Sequence, residues 1–595
     1  MKNLTKRTLA AVMALTVTST TLAYTGLNPK DTISEVTVSA ETLTSGDLSY
    51  VINDGKITIT GCDKEATTVV VPDEIGGVPV TKIGVSAFES CKGLKSVTIG
   101  ENVTTIGGDA FKNCTALTEV TIPDSVTILS YRSFYGCSGL KKVSLGEGLT
   151  TIGENAFEDC KLLNDLKLGS NIKEIYANAF NGCVSLTGIV IPDKVTALGN
   201  SAFSGCSGLT DAVIGKAVTA IGVSAFESCK GLKNVTIGEN VTTIGSDAFK
   251  NCTALTEVTI PDSVTILSYR SFYGCSGLKK VNLGEGLTTI GENAFNGCKL
   301  LEDLKFGSNI KEINSYAFSG CESLTGIVIP DKVTAIGGDA FYGCSGLTDA
   351  VIGKAVTAIG VSAFESCKGL KNVTIGENVT TIGGDAFRNC TALTEVTIPD
   401  SVTILSYRSF YGCEALKKAV FANGVASIGE NVFGGCTLLT MYGYNNTVPQ
   451  KYADKNSIKF VVLDNEPAIT TSTVTTTPTV TTTSTVTTTP IVTTTPTVTT
   501  TASVTTTSTT TTASETTPTV TTSQTTAPSE KIGDINGDGK LTTSDARKVL
   551  QYAVGMVELD AQQIKLADIN KDGKITTSDA VKLLRYIVGA VDELK

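Results

Sequence analysis

The feature that most constrains this chain is a spacing. Ala87-Phe88-Glu89-Ser90-Cys91 returns with small variations every 23 residues, at Phe111/Cys114, Phe134/Cys137, Phe157/Cys160 and onward to Phe433/Cys436. Sixteen of the 17 cysteines lie on this grid, and only Cys62 lies off it. A strict period of this length belongs to a solenoid, in which each unit buries its apolar face against the next. The scattered cysteines of a globular domain would not keep step in this way.

One unit reads Leu94-Lys95-Ser96-Val97-Thr98-Ile99, then Val103-Thr104-Thr105-Ile106, then Ala110-Phe111-Lys112-Asn113-Cys114. Val97 and Ile99 fall on one side of a short strand, and Ser96 and Thr98 on the other. Gly100, or a Pro-Asp pair such as Pro123-Asp124, turns the chain. Asp109 stands where it would cap one helical turn aiming Ala110, Phe111 and Cys114 inward. Phe88, Cys91, Phe111, Cys114, Phe134 and Cys137 then open a structural ladder. Equivalent cysteines would stack about 4.8 Å apart with parallel side chains, whereas a disulfide needs Cβ atoms about 3.8 Å apart and turned together. The expectation is a column of buried thiols acting as small apolar fillers, with no disulfide, catalytic or metal role.

This unit, repeated sixteen times over 85–436, resembles the BspA-like class of bacterial leucine-rich repeats, also found in treponemal surface proteins. The resemblance implies a leucine-rich-repeat solenoid, a parallel β-sheet with short helical turns, used for adhesion or protein recognition. Residues 41–84, with strand-like alternation around Asn53-Asp54-Gly55, are expected to cap its N-terminal end. Residues 437–466, with a helix over Thr447 to Lys455 and a strand over Ile458 to Leu463, are expected to cap the other.

A longer period overlies the first. Val-Ser-Ala-Phe-Glu-Ser-Cys begins at Val85, Val223 and Val361, which indicates duplication of six-repeat blocks. Copying therefore explains a recurring surface residue as well as function does. The strand positions facing away from the core, such as Ser96, Glu119, Lys142 and Asp165, then Thr98, Thr121, Ser144 and Lys167, carry no aromatic side chain. That disfavours a sugar-stacking surface and leaves either a protein-binding face or a merely soluble one. Tyr131-Arg132-Ser133-Phe134-Tyr135 recurs at Tyr269–Tyr273 and Tyr407–Tyr411. The copies, about 28 Å apart at about 4.8 Å per rung, fit a binding hot spot or a duplicated solvated rung.

Composition narrows the chemistry. A net charge of −10 argues against nucleic acid or an anionic membrane as partner. The chain has no histidine, which removes histidine triads and histidine zinc sites, and no tryptophan for stacking on sugars. Lys2, Lys6 and Arg7 followed by the apolar run Leu9 to Val17 read as an export signal, with cleavage after Ala23 or after Ala40. The mature protein is expected to be secreted, with no membrane insertion once this leader (1–40) is removed. Residues 467–529 are almost entirely threonine, proline, valine and serine, a semi-stiff spacer that cannot build a core.

Beyond the spacer, two twelve-residue loops begin at Asp534 and Asp568. Asp534, Asn536, Asp538 and Asp545, and then Asp568, Asn570, Asp572 and Asp579, place side-chain oxygens at positions 1, 3, 5 and 12 of a calcium loop. Lys540 and Lys574 at position 7 would offer backbone carbonyls, and Gly539 and Gly573 allow the bend. Aspartate rather than glutamate at position 12, the duplication and the spacer make 530–595 resemble a type I dockerin, a small α-helical calcium-binding module. That resemblance implies two calcium ions and docking onto the cohesin module of a cellulosome scaffoldin. It also implies cohesin contacts at Thr543, Ser544, Thr577 and Ser578, with Gln551 and Arg585 on the helices.

The resulting expectation is a secreted, non-catalytic cellulosome component whose repeats recognise a protein or cell-surface ligand. The alternatives are a surface adhesin for host or plant cell wall, and a plant polysaccharide hydrolase. The absent histidine and the lack of a non-repeat catalytic domain weigh against the hydrolase.

Overall fold

The computed structural model describes residues 42–463 and, in the C-terminal module, 532–535, 541, 545–546, 548–549, 552, 559–569, 571, 574–575, 579, 582–583 and 586. The export signal and the Thr/Pro spacer lie outside the described residues.

The repeats form a parallel β-solenoid. Each turn gives a two-residue strand to one sheet, so that Thr105–Ile106 lies beside Ile128–Leu129 and that beside Thr151–Ile152, with partners 23 residues apart. Each also gives a longer strand to a second face, where Glu119, Val120 and Thr121 pair with Lys142, Val143 and Ser144. Alternation decides which side chains leave this face: Val120 and Val143 are buried, while Glu119, Thr121 and Lys142 are exposed. The ladder of this face is interrupted before strands Gly188–Val190, Glu257–Thr259, Gly326–Val328 and Glu395–Ile398. Each of these runs into an Ile-Pro-Asp turn.

The third side departs from the expected helical turn. Asp109 does not cap a helix, because its φ is +54°, and Asn113 is also left-handed at +59°. The chain instead alternates two kinds of hydrogen bond. The Lys112 and Cys114 N–H groups donate within the turn to the Asp109 and Phe111 carbonyls, at 3.1 and 3.2 Å. The Asp109, Phe111 and Asn113 N–H groups donate to Tyr131, Ser133 and Tyr135 of the next repeat, at 3.0, 2.7 and 2.7 Å. A helical turn would direct its N–H groups along its own axis and leave none for the neighbour. Left-handed residues at two positions per repeat turn alternate N–H groups outward, so all three sides are stitched from rung to rung. Asp, Asn, Ser and Gly dominate these positions because they tolerate that conformation best.

Phenylalanines from Phe88 to Phe433 stack through the core in 15 consecutive pairs, with centroids 4.7–5.5 Å apart and planes within 13°. Beside them run the cysteines, all free and, apart from Cys62, all buried. The ladder thiols do more than fill space. Cys114 Sγ donates to the Phe88 carbonyl at 3.1 Å and Cys137 Sγ to that of Phe111 at 3.0 Å. The same bond recurs up to Cys436 and Phe410. Burial pushes the thiols of Cys160, Cys183, Cys229 and Cys321 well above their ordinary range, so these four keep their protons.

Both ends are covered. At the N-terminus β1 (Leu43–Ser45), β2 (Leu48–Asn53) and β3 (Lys56–Cys62) form an antiparallel meander. Asp54 and Gly55 make its β2–β3 turn at φ +50° and +67°, the left-handed pair that a tight hairpin demands. Then β4 (Thr68–Val71) pairs in parallel with Ser96–Ile99. A short β5 (Glu74–Ile75) hairpins into β6 (Val78–Ile83), which joins β3 to the first two-residue strand. At the C-terminus α1 (Val448–Lys455) buries Ala453, and strand Lys459–Val462 closes the longer-strand face against Thr440–Gly443.

Candidate functional site

The C-terminal module centres on the last carboxylate of each loop. Asp545 and Asp579 are fully buried, and Asp534 is nearly so at 9 % exposure. Asp545 Oδ1 accepts the N–H of Ile535 at 3.0 Å, and Asp579 Oδ1 accepts that of Ile569, also at 3.0 Å. Position 12 of each loop thus folds back onto position 2, and the two halves repeat one geometry. Ile535 and Ile569 are buried with Ala546, Val549, Leu559, Ala567 and Leu583. The loops are therefore anchored by their own apolar residue to a shared core.

Helical residues follow each loop: Asp545, Ala546, Lys548, Val549 and Tyr552 after the first, then Asp579, Lys582, Leu583 and Tyr586 after the second. Between them lies α2 (Ala561–Ala567), which the sequence reading missed. Its signal was legible as Asp560-x-x-Gln563, a capping box in which Asp560 accepts the Gln562 and Gln563 N–H groups at 2.9 and 2.8 Å. The Gln563 side chain also donates to the Ile535 carbonyl at 3.0 Å, tying this helix to the first loop.

A buried carboxylate is costly unless hydrogen bonds or a cation meet it. Hard oxygens on two short loops are calcium chemistry, so the residues present fit that ion. Lys574 is exposed, as a position that contributes only its carbonyl would be. Asn536, Asp538, Lys540, Asn570 and Asp572 lie outside the described residues, and so do Thr543, Ser544, Gln551, Thr577, Ser578 and Arg585. Among the described residues alone, no three acidic or cysteine side chains cluster as a metal site.

The solenoid offers two kinds of surface. On the longer-strand face, opposite charges pair along the column: Lys142 with Asp165 at 3.6 Å, Lys280 with Asp303 at 3.8 Å and Lys418 with Glu395 at 3.9 Å. The repeats put no aromatic there, but Tyr442 of the closing strand stands in register with Val420, with Lys418 5.9 Å above its ring. It escaped the sequence reading because the step to it is 22 residues rather than 23.

The second surface is the turn side. Arg132 lies between the rings of Tyr131 and Tyr135, at 4.9 and 5.6 Å from their centroids. The copies at Arg270 (4.6 and 5.2 Å) and Arg408 (4.5 and 5.4 Å) repeat this. Tyr131, Tyr269 and Tyr407 are exposed, as are Ile128, Ile266 and Ile404 on the two-residue strands that precede them in the chain. Nearby, Lys112 bridges Glu89 at 2.9 Å and Asp109 at 3.2 Å, and its hydrogen bond holds the Glu89 carboxyl below the usual range.

Comparison with known proteins now places both parts. The BspA type leucine-rich repeat region matches five overlapping stretches, 81–210, 130–256, 206–325, 242–371 and 334–460. The chain belongs to the BspA-type leucine-rich repeat family. Residues 532–588 match the dockerin type I domain. A leucine-rich repeat protein from Bacteroides ovatus ATCC 8483 is 26% identical with a TM-score of 0.50, over 71% of this chain and 100% of that one. A leucine rich cell surface protein from Faecalibacterium prausnitzii A2-165 is 24% identical over 72% of this chain and 99% of that one, with a TM-score of 0.33. No curated protein matches. BspA-type repeats and dockerins are non-catalytic module types; the first suggests protein interaction, and the second binds calcium and implies a cohesin partner. Dockerins occur in extracellular cellulosome components, and among the described residues no helix is long and apolar enough to cross a membrane.

Proposed function

We propose that this BspA-type protein is a secreted, non-catalytic component of a cellulosome. Two calcium ions hold its dockerin in the form that docks onto a scaffoldin cohesin, and its solenoid presents a recognition surface to a protein ligand. The observation that carries the reading is the pair of loops whose position-12 carboxylates are buried, each bonded to its own loop at 3.0 Å. The triplicate Tyr-Arg surface supports a protein ligand, since tyrosine, exposed at Tyr131, Tyr269 and Tyr407, and arginine are enriched in protein hot spots.

The test is binding of the full chain to immobilised type I cohesins. Binding is expected in calcium, with loss in EDTA and in the double variant Asp545→Ala/Asp579→Ala. Calcium-independent binding, or silence across cohesins from cellulosome-forming anaerobes, would overturn the docking role. Release of soluble sugar from plant polysaccharide by the purified chain would overturn the non-catalytic one.

A further inference from the structure

The turn side of the solenoid is a third ladder, and its C-terminal end is unfinished. At each of the fifteen junctions between successive repeats, three N–H groups donate to three carbonyls of the next repeat at 2.7–3.1 Å. The last junction runs from Arg408, Phe410 and Gly412 to Glu430, Val432 and Gly434. The final row of donors is therefore Asn431, Phe433 and Gly435, and no further repeat follows it.

The C-terminal cap treats the three sides unequally. Strands Thr440–Gly443 and Lys459–Val462 continue the longer-strand face, and α1 packs against the last two-residue strand, Ser427–Ile428. On the turn side the cap supplies a single acceptor. The Tyr452 hydroxyl takes the Phe433 N–H at 3.3 Å, in the place of a rung carbonyl. The N–H groups of Asn431 and Gly435, which flank it, have no acceptor among the described residues, and both residues are exposed. A cavity of about 480 Å³ opens here, lined by Asn431, Phe433 and Gly435 of the last repeat and by Tyr452, Ser457 and Lys459 of the cap.

The electrostatics of this cavity are one-sided. Lys459 is the one charged residue among those that line it. Asn431 and Gly435 are left-handed, with φ of +55° and +84°, and N–H groups turned to one side by such alternation make an anion-receiving concavity. A row of unclaimed N–H groups is also a template for one more strand.

We propose that this cavity is a docking site for the extended C-terminal peptide of a protein partner. Lys459 and one of the two free N–H groups take the terminal carboxylate, and the other N–H takes an upstream carbonyl. The register follows from the ladder, since a segment lying where the next rung would lie presents carbonyls on alternate residues to this edge. Main-chain bonds of this kind, with capture of a terminal carboxylate by backbone N–H groups, are an established way of reading peptides. The segment straddles Tyr452, whose hydroxyl already serves the middle N–H. The inference rests on the solenoid being a protein-binding module and is independent of the dockerin.

The probe is the synthetic peptide Ile-Gly-Gln-Asn-Ala-Phe-Asn-Gly, which is the rung 290–297 with its glutamate neutralised. It is made with a free C-terminal carboxylate and as the C-terminal amide, and each form is titrated into the isotope-labelled full chain. Saturable amide shifts are expected at Asn431 and Gly435 with millimolar peptide. The free acid should bind more tightly than the amide by up to about fivefold, the range of an exposed ion pair, and Lys459→Gln should remove that advantage. Thr437→Trp, which fills the cavity from an exposed position on its lining, should abolish the shifts. Shifts confined to Tyr131, Arg132 and their copies would overturn this site while leaving protein recognition by the turn side standing. Equal affinity of acid and amide, or no saturable shift at all, would overturn the inference outright. The wild-type shifts decide this even if the variants fold poorly.

Discussion

Single residues in this solenoid are tested three times over, because the six-repeat block was copied. Ser133, Ser271 and Ser409 replace the alanine found before phenylalanine in other repeats; each is fully buried, and its hydroxyl has no hydrogen-bond partner. A buried unsatisfied hydroxyl costs about 1–3 kcal/mol. Changing all three to alanine should therefore raise stability, with a higher denaturant midpoint and an unchanged m-value. Asn251 shows the opposite sensitivity. Its φ is +59°, and a non-glycine residue without a local hydrogen-bonding side chain pays about 1–2 kcal/mol there. Asn251→Ala should lower the midpoint and Asn251→Gly should largely spare it. The sequence displayed this position all along as a column of Asn, Asp, Ser and Gly before cysteine. Asp109, four residues before the equivalent Asn113, suits a helix cap as well as a left-handed turn, which is why the columns were legible and their geometry was not.

At the scale of elements, the cysteine and phenylalanine columns act together. From Cys114 on, each thiol adds a second hydrogen bond to the carbonyl of the phenylalanine one rung below, as Cys252 does for Phe226 at 3.2 Å. Cys252→Ala should cost about 0.5–1.5 kcal/mol through the loss of that bond, the carbonyl keeping the Cys229 N–H at 3.2 Å, although alanine is small and apolar. If the thiols only filled space, Cys252→Ala would cost little more than its lost volume. Phe249→Ala is a harsher change: its ring stacks on Phe226 and Phe272 at 5.3 and 5.1 Å, and a truncated core phenylalanine costs about 3–5 kcal/mol. Because a solenoid's contacts are between neighbours, hydrogen exchange should accelerate in the adjacent repeats and leave distant ones protected. The strands and their inward residues were readable from period 2 within period 23. The alternation of turn and rung hydrogen bonds was not, since it depends on where the next repeat's carbonyls lie.

At the scale of the whole molecule, solenoid and dockerin differ in what holds them. The solenoid rests on a continuous apolar core from Leu48 to Ala453. The dockerin's described core is small, and it buries the carboxylates Asp534, Asp545 and Asp579 that belong to its two calcium-loop motifs. Calcium removal should therefore expose the 530–595 module to trypsin while the solenoid stays resistant, because metal binding and folding are coupled in such modules. Equal resistance of both parts in EDTA would contradict this account.

The amino-acid sequence by itself determined the solenoid, its phenylalanine and cysteine columns, the loop pair and both family resemblances. Each of these is carried by spacing along the chain, and spacing survives without coordinates. The tertiary structure alone decided the rest. It made the Ala-Phe-x-x-Cys segment a left-handed turn ladder instead of a helical turn, made the thiols donors instead of fillers, and brought Tyr442 onto the longer-strand face. It also set Lys64 against Cys91. These features arise where one rung meets the next or where the caps break the period, and no periodicity along the chain records what a neighbouring turn presents.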